Sequence, residues 1–161
     1  VVTAAQMNEQ LRDNLLYLLA PNSDAVLQDG TAFEISGTAW GTVGGTAQCP
    51  TLVTHGGPLL IYASCAVKAD TAGQQAAFDI AVDGARIADG LSEGLRLLEF
   101  ESAGDVAHLS LIALSTPAPG TPEVSLQARV AGAGVGTVTI LAGDTAGGDP
   151  DLPLYFFAIE L

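Results

Sequence analysis

Beyond Pro21 the chain loses any helical period and is divided by glycine and proline into short apolar runs, several of which alternate residue by residue. In Val124-Ser125-Leu126-Gln127-Ala128-Arg129-Val130 the apolar side chains fall on one side and the polar ones on the other. That is the period of a strand with one face on a core and one in water. Phe78, Ile80 and Val82 repeat the pattern and lead into Asp83-Gly84, a dipeptide suited to a two-residue hairpin turn. The strands expected on this reading span 32–36, 51–54, 59–67, 77–82, 85–88, 95–101, 107–114, 123–130, 136–141 and 154–161. With no helical pattern between them, parallel βαβ units are excluded. Such a series folds as an antiparallel, mainly β two-sheet sandwich or jelly roll. The stretch 37–50, rich in Gly, Thr and Ala, reads as a loop or irregular edge strand carrying Trp40, and 22–31 reads as a hinge. No internal repeat of fixed period is visible.

The first twenty residues follow a different rule. Thr3 can cap the free amides of a first helical turn while Gln6 reaches back to the backbone of Thr3, and Val2 and Met7 fall at the two staple positions. Met7, Leu11, Leu15 and Leu18 then recur at helical spacing, with Gln6, Glu9, Gln10, Arg12 and Asp13 on the other side. Pro21 ends the pattern. This spacing predicts one short amphipathic helix before the β-body. A helix of that length is marginal alone in water, so its stripe needs a partner: its own β-body, copies of itself, or another protein. The expected organisation is an N-terminal anchoring helix at 1–21, a linker and irregular edge segment at 22–50, and a jelly-roll β-domain at 51–161.

Charge narrows the classes of partner. Charged residues make up only 14% of the chain, yet 18 are acidic against 5 basic, for a formal net charge of −13. A phosphate backbone would be repelled, and Arg12, Lys68, Arg86, Arg96 and Arg129 are too scattered to offset that, so nucleic acid is not an expected partner. No apolar run approaches the ~20 residues that cross a bilayer, so no membrane insertion is expected either. Cys49 and Cys65 make no disulfide framework and, with His55 and His108, fit no common zinc spacing; buried thiols and a single bridge both remain open.

Catalytic chemistry finds little footing. A Ser or Cys nucleophile needs a histidine in reach and a third group to orient it, and neither His55, in a His-Gly-Gly-Pro loop, nor His108 has such a context in sequence. Gly132 to Gly136 has the composition of a phosphate loop but opens no helix, and reads as a turn. Asp144, Asp149 and Asp151 share a glycine-rich loop and offer oxygen ligands to a hard cation such as Ca²⁺; their spacing matches no EF-hand, and a solvated loop is the competing reading. Glu93, Glu99 and Glu101 invite comparison with the carboxylate pair of sugar hydrolysis, but Glu99 and Glu101 flank Phe100 on one strand, as at a solvated edge. No catalytic residue and no cofactor is expected.

Two stretches bear a family resemblance. Val2-Thr3-Ala4-Ala5-Gln6-Met7-Asn8, followed by Arg12-Asp13-Asn14-Leu15, resembles the N-terminal segment of small tailed-bacteriophage structural proteins of the tail-fibre or minor-tail kind. Val124 to Val130, then a glycine-rich turn, then a closing strand ending Ala158-Ile159-Glu160-Leu161, is similar to the last strands of tumour-necrosis-factor-like or C1q-like jelly rolls. The resemblance implies a non-enzymatic virion protein, made in the host cytoplasm and displayed on the particle surface. It implies a homotrimer anchored through Met7, Leu11, Leu15 and Leu18 to other virion proteins. Trimers of that kind pack through aromatic side chains on inner strands, so the implied interface candidates are Tyr155, Phe156 and Phe157, one set filling the sandwich and the other meeting a neighbour. Two functions follow, a fibre or adhesin head that contacts a host surface receptor and a capsid decoration protein; a third, from another class and independent of the resemblance, is a secreted carbohydrate-binding module. The last requires exposed aromatics on a sheet face.

Overall fold

The computed structural model describes residues 23–28, 32–45, 49–132, 136–142 and 153–161. The expected helix with Met7, Leu11, Leu15 and Leu18 lies outside these residues, as do Asp144, Asp149 and Asp151. The strands in chain order are β1 (Ser23–Gln28), β2 (Phe33–Ile35), β3 (Gly41–Thr42), β4 (Leu59–Ala69), β5 (Gln75–Val82), β6 (Ala85–Arg86), β7 (Arg96–Glu99), β8 (Val106–Ser115), β9 (Val124–Ala131), β10 (Val138–Leu141) and β11 (Leu154–Glu160).

They form two antiparallel sheets. In the first, β8 pairs with one edge of β4 over its length, from Leu59 opposite Ser115 to Lys68 opposite Val106. Along the other edge of β4, β10 and β11 lie end to end, Val138–Leu141 opposite Ala69–Ala66 and Tyr155–Glu160 opposite Ser64–Leu59. β1 and β2 continue outward in the same way, β1 on β11 and β2 on β10. In the second sheet the order is β3, β9, β5, with β7 and β6 end to end on the far edge of β5. Taking each end-to-end pair as one interrupted strand gives four strands per sheet, and the chain changes sheet at every connection except the β5–β6–β7 meander. That is the double Greek key of a jelly roll.

Alternation builds the core. Leu59, Ile61, Val67, Leu109, Leu111, Ile140, Leu154 and Phe156 of the first sheet meet Phe78, Ile80, Leu98, Val124, Leu126 and Val130 of the second, all within one apolar cluster. The hairpin expected at Asp83-Gly84 is present: φ is 52° and 77°, the paired left-handed values of a tight type I′ turn, between Val82 and its partner Ala85. Phe100, 2% exposed, fills the core between Glu99 and Glu101 as its spacing implied.

The stretch 22–50, expected as a linker and irregular edge around a strand at 32–36, holds β2 at that expected place and two further short strands, β1 and β3. Ser23–Gln28, read as hinge, is an edge strand bonded to β11 throughout. An edge strand needs few core residues, so its apolar content was low while its ladder was complete. Conversely, 51–54 is not a strand: Thr51 and Thr54 make single bridges, to Glu123 and Gly120.

Candidate functional site

The outer face of the first sheet departs from a solvated surface. Register fixes its rows. Leu114, Leu60, Ile159 and Ser23 stand side by side across β8, β4, β11 and β1; Ile112, Tyr62, Phe157 and Ala25 form the next row; Ser110, Ser64, Tyr155 and Leu27 the third. None of these side chains is charged, in a chain of net charge −13. Ile112 is 68% exposed, Leu114 61%, Leu27 58% and Tyr155 50%. Charges resume at the far end of the sheet, where Lys68 and Glu34 flank Thr139, and at the β1 edge, where Asp24 borders the face. The rings of Tyr62 and Phe157 lie 5.4 Å apart at 34°. A shallow hollow of about 390 Å³ lies between Ser23, Asp24, Ala25, Phe157 and Ile159. A contiguous exposed apolar face of this kind is a candidate contact surface.

The three aromatic candidates divide between the two sides of β11. Phe156, 1% exposed, is core; Tyr155 and Phe157 point outward from the first sheet.

A polar island interrupts the face. Ser64 Oγ lies 3.1 Å from His108 Nε2, brought together because Ala66, not Ser64, is directly opposite His108 and the two side chains meet diagonally. Hydrogen bonds from Ser64 and, more weakly, Ser110 to the Tyr62 hydroxyl draw its pKa below the usual phenol value, against a smaller opposing effect of burial. The Ser64–His108 pair has two parts of an acyl-transfer site and, among the described residues, lacks the rest. β4 is paired at Ser64 on both edges, to Ser110 and to Tyr155, so its backbone amides belong to ladders and form no oxyanion hole. Ser64 is the one hydrogen-bond partner His108 has among the described residues, and no carboxylate orients the ring.

The remaining candidates are structural. Glu99 accepts a hydrogen bond from Gln75 Nε2 at 2.6 Å on the surface. His55 sits beside the buried carboxylate of Glu160, at 3.2 Å. Cys49 and Cys65 are free and buried. Trp40, the one tryptophan, has the Arg86 guanidinium 4.3 Å and that of Arg129 5.3 Å from its ring centre. Its ring is therefore engaged by protein cations. Among the described residues no group of three or more His, Cys, Asp or Glu side chains is arranged to hold a metal.

The chain matches no family model and no curated protein. Among solved structures it is similar to Eiger TNF from S. frugiperda, with 11% identity and a TM-score of 0.47, over 88% of this chain and 94% of that one. It is also similar to the dimeric latent PorU from Porphyromonas gingivalis, with 13% identity and a TM-score of 0.44, over 87% of this chain and 13% of that one.

Proposed function

We propose that this chain is a non-enzymatic structural protein of a bacteriophage particle, a homotrimer whose subunits pack through the outer face of the first sheet. The N-terminal residues tie it to other virion proteins and the sandwich is displayed outward as a fibre or adhesin head toward a host receptor. The observation that carries the assembly is the uncharged face of Leu114, Ile112, Tyr62, Phe157, Tyr155 and Leu27. Acidic subunits repel one another except where a surface is free of charge, and burial of apolar and aromatic side chains there supplies the attraction. The assignment to a phage particle is supported by the resemblance of Val2 to Asn8 and Arg12 to Leu15 to the arms of such proteins.

Light scattering on the purified full chain tests the assembly. The mass should be a multiple of three chains, and Ile112→Asp with Tyr155→Asp should reduce it while circular dichroism stays that of a folded β-protein. A monomeric wild-type chain at tens of micromolar would overturn it. Quantitative mass spectrometry of purified particles tests the location, with a few copies per virion expected for a fibre.

A further inference from the structure

We propose that β8 pairs edge to edge with the β8 of a second copy, antiparallel about a two-fold axis through Ser110, so that the first sheets of two subunits run on as one. This goes beyond the three-fold packing above and does not depend on it.

β8 is bonded to β4 along one edge for its whole length, and among the described residues no strand occupies its other edge. Half of the backbone amides and carbonyls of an edge strand point away from the sheet and template pairing with another chain. Native proteins block such edges with charges, proline or shortness. Every other edge here is blocked in one of those ways: β1 carries Asp24, β2 is three residues long with Glu34, β3 and β6 are two residues each, and β7 carries Arg96 and Glu99. β8 has none of these devices. Its ten residues, Val-Ala-His-Leu-Ser-Leu-Ile-Ala-Leu-Ser, include no Asp, Glu, Lys, Arg or Pro.

The strand is also complementary to itself. Keeping both sandwiches on the same side of the joined sheet requires outward residues to face outward residues. Centring the pair on Ser110 sets Ser110 against its copy, His108 against Ile112 and Val106 against Leu114. Small polar side chains meet at the axis, apolar ones at the ends, and no acidic side chain approaches another. The exposed rows containing Ile112 and Leu114 would then continue from one subunit into the next.

The test is disulfide trapping in the full chain carrying Ser110→Cys, with Ala103→Cys, in the exposed turn before β8, as control. Oxidation should convert S110C into a covalent dimer on a non-reducing gel and leave A103C uncoupled. Ser110→Lys sets two ammonium groups face to face and should halve a two-chain or six-chain mass seen by light scattering with the circular dichroism unchanged; because Ser110 also lies on the face used by the three-fold packing, a fall to one third, leaving dimers, would count against the pairing. A wild-type mass of one or three chains, with S110C uncoupled, overturns the pairing; at three chains the three-fold reading stands without it. A two-chain mass with S110C trapped upholds the pairing and sinks the three-fold reading, and a six-chain mass with trapping upholds both.

Discussion

His55 and Glu160 are 105 positions apart, and Nδ1 of one lies 3.2 Å from Oε2 of the other at the end of the sandwich where the chain closes. The other carboxylate oxygen of Glu160 accepts hydrogen bonds from the Thr54 hydroxyl at 2.6 Å and from the amides of His55 and Gly57, each at 2.8 Å. The His-Gly-Gly-Pro loop thus wraps a carboxylate, and Gly57 can hold this position because a Cβ there would come within 3.0 Å of Glu160 Oε1. Glu160, opposite Leu59, thus ties the last residue of β11 to the loop that enters β4.

Replacing that carboxylate should therefore weaken the fold. Glu160→Gln keeps the shape and an oxygen for the three donors but turns charge-assisted bonds into neutral ones, at a cost of about 2 kcal/mol. The His55 side chain is 56% exposed, so His55→Ala, which leaves its backbone amide in place, should cost less than about 1 kcal/mol. Urea denaturation of the two variants measures the difference; equal costs would show that the ring, not the carboxylate cradle, holds the loop.

Neighbouring residues of β11 should respond in opposite ways. Phe156→Ala opens a cavity in the core and should cost about 3–5 kcal/mol. Tyr155→Asp, on a side chain that is 50% exposed, should shift stability by less than about 1 kcal/mol and act on assembly instead. Thermal melting paired with light scattering separates the two effects.

Local patterning made most of the β-body legible. β9 and β5 are legible because Val124, Leu126, Ala128 and Val130 of one and Phe78, Ile80 and Val82 of the other fall at every second position on the shared core, although β5 proves buried on both faces, and Asp83-Gly84 places its turn by backbone chemistry alone. β1 carries no such signal because its stability comes from a ladder to β11, and pairing between residues so distant leaves no local trace. The exposed apolar face was partly legible. Leu111-Ile112-Ala113-Leu114 breaks alternation by being apolar on both sides, a signal that a strand is covered on both faces. The Ser64–His108 contact was not legible, since it depends on the register of β4 against β8.

The two thiols should be inert in the folded state. Burial pushes the Cys65 thiol up to about 12, and burial, with the nearby Glu123 carboxylate adding to it, raises that of Cys49. A raised thiol pKa keeps the reactive thiolate scarce at neutral pH, so neither should react with a disulfide reagent at pH 8 until the chain unfolds. The same shift links Cys65 to stability. Folding holds its proton more tightly than the unfolded chain does, so its contribution is intact below pH 9 and is lost as pH climbs toward 12. Reagent uptake by the native protein on the timescale of mixing would contradict the burial of both.

Behind the second sheet, Asp79 is fully buried and accepts hydrogen bonds from Arg86 Nη1 at 3.1 Å and the Ile80 amide at 2.8 Å, while Arg86 also reaches Asp89 at 2.9 Å and stacks on Trp40. Arg86→Ala strands that carboxylate and should cost about 3–5 kcal/mol, with a change in tryptophan emission in the folded state. Arg86→Lys keeps the charge but not the stacked plane or the fork, so it should recover only part of the stability. Full rescue by lysine would mean that charge alone holds the clasp.

The tightest packing in the same region is at Gly94. Its φ is +65°, a left-handed value that costs other residues about 1–2 kcal/mol, and an added Cβ would stand 2.5 Å from the Phe78 carbonyl oxygen and 2.7 Å from the Trp40 ring. The Phe78 oxygen cannot yield, because it accepts the Leu95 amide at 2.9 Å. Gly94→Ala should therefore destabilise by about 3 kcal/mol or more, combining backbone strain with overpacking. Gly84 has a similar φ of +77° but open space around it, so Gly84→Ala should show the backbone term alone, about 1–2 kcal/mol. Denaturant midpoints of the two alanine variants give the difference directly. If they coincide, the loop carrying Trp40 moves aside at little cost, and the ring is not what fixes the turn before β7.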